Sequence, residues 1–169
     1  IDVRDVTTGN DVLGATIADA NVLSFGVTGA SLFVGTGGFL NSARTGVDTD
    51  TDAVGFLVSG ASFTLVTVTK GLDSYTGIQV TVDEAALLGL DGIELEVSGT
   101  VKVNTTSRLD GQRLDWSTAT DGLLDIGSRV SLAASGSVAL DIGDFLHIDG
   151  SAALVITSET VDVDTNGDS

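Results

Sequence analysis

The chain has 169 residues, enough for one domain with a real core, and 42% of them are hydrophobic, which excludes a disordered acidic polymer. A net charge of −17 disfavours nucleic acid and anionic lipid as partners, because both are polyanions. Cysteine, methionine and proline are absent, so no disulfide, thiolate metal site or thiol nucleophile exists.

Aromatic residues make up only 5% of the chain, so the core must come from Val, Leu, Ile and Ala, side chains suited to regular β packing. Of the acidic residues only Glu84, Glu94, Glu96 and Glu159 are glutamate. The aspartate excess favours turns and oxygen-rich cation sites, or a solvated acidic surface. No apolar run approaches the roughly 18 residues of a membrane span, and no membrane insertion is expected. The missing initiator methionine leads us to expect a processed product or a piece of something longer.

Taken in chain order, the first strand candidate is Ala20–Val27, entering the segment Val27-Thr28-Gly29-Ala30-Ser31-Leu32. Gly35-Thr36-Gly37-Gly38 lacks both the dinucleotide-binding spacing and a P-loop lysine, and reads as a turn. Asp48, Asp50 and Asp52 alternate along one short run before a strand expected to start near Val54. Alternating carboxylates repel unless a cation sits between them; the plainer reading is a solvated loop. Phe63–Thr69, Ile78–Val82, Ile93–Val97 and Val101–Asn104 follow as strands by their period-two alternation. Val82–Leu88 is the only segment with helical spacing, ended by Gly89.

A short kernel recurs: Val58-Ser59-Gly60-Ala61-Ser62-Phe63 and Val97-Ser98-Gly99-Thr100-Val101 repeat the pattern around Gly29, with looser copies around Gly136 and Gly150. Its glycine permits a bend or bulge leading from one strand into the next. The first four glycines lie roughly 30 to 40 residues apart, as in stacked supersecondary units.

These features predict an all-β fold, either an elongated, stacked β-solenoid or β-helix, or a β-sandwich with Gly-centred turns. Residues 1–169 read as a single module. Running Val161–Ser169 into Ile1-Asp2-Val3 gives a loop followed by a strand, the pattern of one period in a tandem array.

Candidate chemistry is concentrated at the C-terminal end. Asp162, Asp164, Asn166 and Asp168, with Gly167 between the last two, have the spacing of a Ca²⁺ loop. The bidentate glutamate that completes an EF-hand is missing, and an acidic tail without metal explains the same residues. His147, between Leu146 and Ile148, reads as an outward-facing strand residue; no nucleophile elbow accompanies it, and no catalytic activity is expected. Trp116 and Tyr75 are the only large amphipathic rings, Trp116 reading as a core or edge-packing residue. Asn104-Thr105-Thr106 is a formal glycosylation sequon.

The segments Leu95–Thr106 and Gly143–Ala152 resemble repeats of giant bacterial surface, adhesin-like or haemolysin-type calcium-binding proteins. The glycine-rich nonapeptide repeat of secreted toxins is absent. The resemblance implies an extracellular or cell-surface structural role, as part of a filament, surface layer or adhesin. Neighbouring repeats or further copies would be its partners, and no catalytic residues are implied. A carbohydrate- or protein-binding module of a secreted protein is the alternative expectation.

Overall fold

The computed structural model describes residues 6–7, 16–17 and 19–157. Strands dominate it, as the alternation predicts. A short pair, β1 (Val6–Thr7) and β2 (Thr16–Ile17), stands apart from a six-stranded sheet. That sheet comprises β3 (Asn21–Leu40), β4 (Val47–Lys70), β5 (Asp73–Leu88), β6 (Ile93–Thr106), β7 (Val130–Ile142) and β8 (Leu146–Thr157). Its spatial order follows the chain order, and every neighbouring pair is antiparallel. No helix among the described residues is long and apolar enough to cross a membrane.

Hairpins connect successive strands because the turn chemistry is local. Asn41 closes the β3–β4 turn, its N–H donating to Gly46 O at 3.1 Å and its Oδ1 accepting from Thr45 N at 2.9 Å. Gly71 lies in the left-handed region at φ +61° and turns β4 into β5. The β6–β7 connection differs: residues 107–129 form a flap with one helical turn, α1 (Trp116–Ala119). Asp115 caps that turn, its side chain accepting from Thr118 N at 3.2 Å.

The recurring kernels do not separate strands. They lie inside continuous strands and meet in one band across the sheet: Ala30 pairs with Ala61, Gly99 with Gly136, and Gly136 with Ala152. Gly29 and Gly60 share φ +63° and accommodate an extra residue in each strand. The kernel glycine is thus a bulge position at Gly29 and Gly60 and a regularly paired strand residue at Gly99, Gly136 and Gly150, and at none of them a strand-to-strand turn.

Three other local expectations are corrected. Val82–Leu88 is the end of β5, not a helix, and the pairing slips between Val82 and Ala85. The extra residue there turns Val82 and Ala85 to the same face, which imitates helical spacing. Gly35-Thr36-Gly37-Gly38 lies within β3, where Gly35, Gly38 and Gly55 leave room for the Phe33 ring: a Cβ on them would fall 3.0, 2.1 and 2.8 Å from it. The strand expected near Val54 begins at Val47, so Asp48, Asp50 and Asp52 lie on an exposed strand rather than a loop.

The buried core sits between the flap and one end of the sheet. Val66, Val68 and Tyr75 from the sheet meet Leu114, Trp116, Leu124 and Ile126 from the flap, with Ala20 beside them. The indole fits because its neighbour is glycine: a Cβ on Gly77 would lie 2.7 Å from Trp116 and 2.8 Å from Leu124. Gly77→Ala should therefore overpack the site and cost about 1–3 kcal/mol, read as a lower urea midpoint at unchanged slope. An unchanged midpoint would show that the flap lies further from β5.

Polar anchors hold the flap along its length. Asn104, fully buried, donates through Nδ2 to Leu114 O (2.9 Å) and Gly127 O (3.2 Å), while its Oδ1 accepts from Trp116 Nε1 at 2.8 Å. Lys102 Nζ reaches Asp125 Oδ2 at 2.9 Å. Arg108 Nε donates to Asp110 at 2.9 Å and Nη1 to Asp73 at 3.3 Å, tying the start of the flap to the β4–β5 hairpin.

The Arg108 hydrogen bonds hold the Asp110 carboxyl down at about 2, against an ordinary 3.8, and Gln112 N–H adds to the effect. A depressed folded-state value means the interaction supports folding above about pH 4 and fades as pH falls toward 2. Between those limits, wild type should lose more stability than Asp110→Asn. Parallel acid melts of the two proteins measure it, and superimposable pH profiles would contradict it.

Candidate interaction face

Register assigns every strand residue to one of two sheet faces, because directly opposed residues in an antiparallel ladder point the same way. Four complete rows then run across all six strands on one face. The first is Phe25, Leu65, Ile78, Val103, Leu132 and Ile156; the second is Val27, Phe63, Val80, Val101, Ala134 and Leu154. Beyond the kernel band come Leu32, Val58, Ala85, Val97, Val138 and Gly150, then Val34, Phe56, Leu87, Leu95, Leu140 and Ile148. No charged residue occurs in these rows.

Between the second and third rows lies the kernel row: Ala30 and Ala61, then Val82, then Gly99, Gly136 and Ala152. Gly99, Gly136 and Ala152 make a shallow trough over β6–β8, flanked around Gly136 by Val97, Val138 and Leu154, and Val82 closes it on the β5 side. Three bulges, in β3, β4 and β5, keep the second and third rows in phase. Without the extra residue in β3 and β4, Leu32 and Val58 would turn to the opposite face from Val27 and Phe63.

This face is largely open to solvent. Phe25 is 54% exposed, Val34 62% and Leu154 54%, and much of the remainder is half-buried by strand neighbours alone. Six strands at about 4.8 Å spacing and about 9–10 residues of strand at about 3.3 Å each give a patch of about 900 Å². Monomeric proteins rarely show apolar patches above about 300–600 Å².

The opposite face is mixed away from the flap, with Phe33, Leu57 and Ala86 on β3–β5 and hydroxyls and acids on β5–β8. Hydroxyls pair along it: Thr81 with Thr100 at 3.2 Å, Ser98 with Ser137 at 2.8 Å. Asp83, Glu84, Glu96 and Asp149 line one groove on this side. His147 also lies there, exposed as expected, with Nδ1 3.0 Å from Asp141 Oδ2.

The structure brings few of the sequence-predicted site residues together. Asp162, Asp164, Asn166 and Asp168 lie outside the described residues. Asp48, Asp50 and Asp52 are exposed at the start of β4, beyond the shift in pairing between Thr36 and Gly38 that separates them from the apolar rows. Among the described residues, no three His, Asp or Glu side chains gather into a metal-holding group. Trp116, read as a core or edge-packing residue, is buried, and so is Tyr75, so neither ring is open to a ligand. Asn104 of the sequon is likewise buried with its amide fully engaged, so it cannot carry a glycan in the folded chain.

The sequence reading missed the apolar face as a site. Its signal was present in each alternating strand, but only the bulges and the cross-strand register unite the strands into one surface. No protein-family model, curated protein or solved structure matches the chain.

Proposed function

We propose that this protein is a structural module of an extracellular bacterial assembly — a filament, surface layer or adhesin — and acts by associating with copies of itself or neighbouring repeats. One observation carries this reading: a sheet whose wide apolar face contains no charge in its four rows and is left largely uncovered by the described residues. An uncharged apolar patch of about 900 Å² is well above the roughly 300–600 Å² that monomers show, and burying it by association is favourable.

The sheet edges support the same role. β3 carries neither charge nor proline along Asn21–Leu40, and β8 carries only His147 and Asp149. The usual guards against edge pairing are sparse. The resemblance of Leu95–Thr106 and Gly143–Ala152 to giant surface-protein repeats points in the same direction. Within this reading, calcium binds the acidic loop Asp162–Asp168 and the run Asp48, Asp50, Asp52, relieving repulsion in a chain of net charge −17.

Sedimentation velocity across a concentration series tests the assembly, and thermal melting with Ca²⁺ or EDTA tests the metal. Self-association above the 17.0 kDa monomer is expected, with a higher melting temperature in Ca²⁺. A monomer at every concentration would sink the assembly role. Identical melting in Ca²⁺ and EDTA would remove calcium alone.

A further inference from the structure

We infer that two copies of this chain pack apolar face to apolar face, completing a two-sheet sandwich in which each copy supplies one sheet. This rests on the structural-module reading and specifies its contact.

Three observations select a second copy as the occupant. First, area: about 900 Å² per partner matches the roughly 800 Å² of a standard stable interface. Second, charge: the acids Asp83, Glu84, Glu96 and Asp149 line the opposite face. Face-to-face packing therefore brings two chains of net charge −17 together with these carboxylates pointing outward, and leaves no charge buried. Third, relief: the trough at Gly99, Gly136 and Ala152 lies between rows carrying Val101 and Val97, with Val82 rising at its β5 end, so each copy presents both a recess and ridges. Sheets packed about 10 Å apart and rotated by about 30° interlock in this way. Stacking on the polar face would instead oppose like charges, and the flap obstructs one end of it.

The test compares three proteins by sedimentation equilibrium, with the single tryptophan as a folding reporter. Trp116 lies under the flap on the other side of the sheet, so its emission is independent of face pairing. Wild type should behave as a dimer of the 17.0 kDa chain. Val101→Glu, in the middle of the apolar face, should keep the wild-type emission yet weaken dimerisation by about a hundredfold or more, because each interface would bury unpaired carboxylates. Ser24→Lys combined with Ala153→Lys, on the polar side of the two edge strands, should leave the dimer intact.

If Val101→Glu still dimerises and the edge variant does not, face pairing is overturned while self-assembly survives. Should wild type stay monomeric, both proposals fail. Flotation of that monomer with neutral phosphatidylcholine vesicles would then identify lipid as the occupant.

Discussion

Trp116→Ala should lower stability by about 3–5 kcal/mol, the effect of removing a fully buried aromatic ring that the surroundings cannot refill. Trp116 is the largest fully buried side chain, and the cavity would open over Gly77, which has no side chain to relax into it. Against a typical domain stability of about 5–15 kcal/mol, that loss is a large fraction. Urea unfolding followed by far-ultraviolet circular dichroism measures it. The strand signal should persist in water while the midpoint falls. A loss below about 1 kcal/mol would show that the flap is not part of the cooperative unit.

Asn104→Ala should be nearly as damaging, for a different reason. The side chain fills three hydrogen-bonding roles at once, to Leu114 O, Gly127 O and Trp116 Nε1. Removing it strands these groups beneath the flap, at about 1–3 kcal/mol for a buried unsatisfied group, so about 3 kcal/mol or more in total. Tryptophan emission should shift to the red as water reaches the indole. Asn104→Asp separates polarity from size. It retains an acceptor for Trp116 Nε1 but points a carboxylate at two carbonyl oxygens, so it should be less stable at pH 7 than near pH 4. The Asn104→Ala, Trp116→Ala double variant should be more stable than the sum of its singles predicts, because they share a hydrogen bond. Strict additivity would indicate that the two side chains do not touch.

The strand content was legible in the sequence because alternation is a local property. Ile78–Val82 and Val101–Asn104 each read as strands, and each is one. The kernel was legible as a bulge only at Gly29 and Gly60, where glycine tolerates the left-handed conformation; the copies at Gly99, Gly136 and Gly150 are plain strand, and none leads from one strand into the next. Val82–Leu88 misled because a bulge imitates helical spacing. The flap went unnoticed because Leu114, Leu124 and Ile126 lie irregularly along the chain, and their common burial arises only where β4 and β5 meet them.

The sequence by itself therefore determined that each strand would be two-sided, apolar on one side and polar on the other, since successive side chains of an extended chain project oppositely. Tertiary structure alone decided that all six apolar sides would coincide. That outcome depends on bulges opposite one another at Gly60 and Asp83 and on pairings such as Gly99 with Gly136. A slip of one residue would have placed half of each row among the carboxylates.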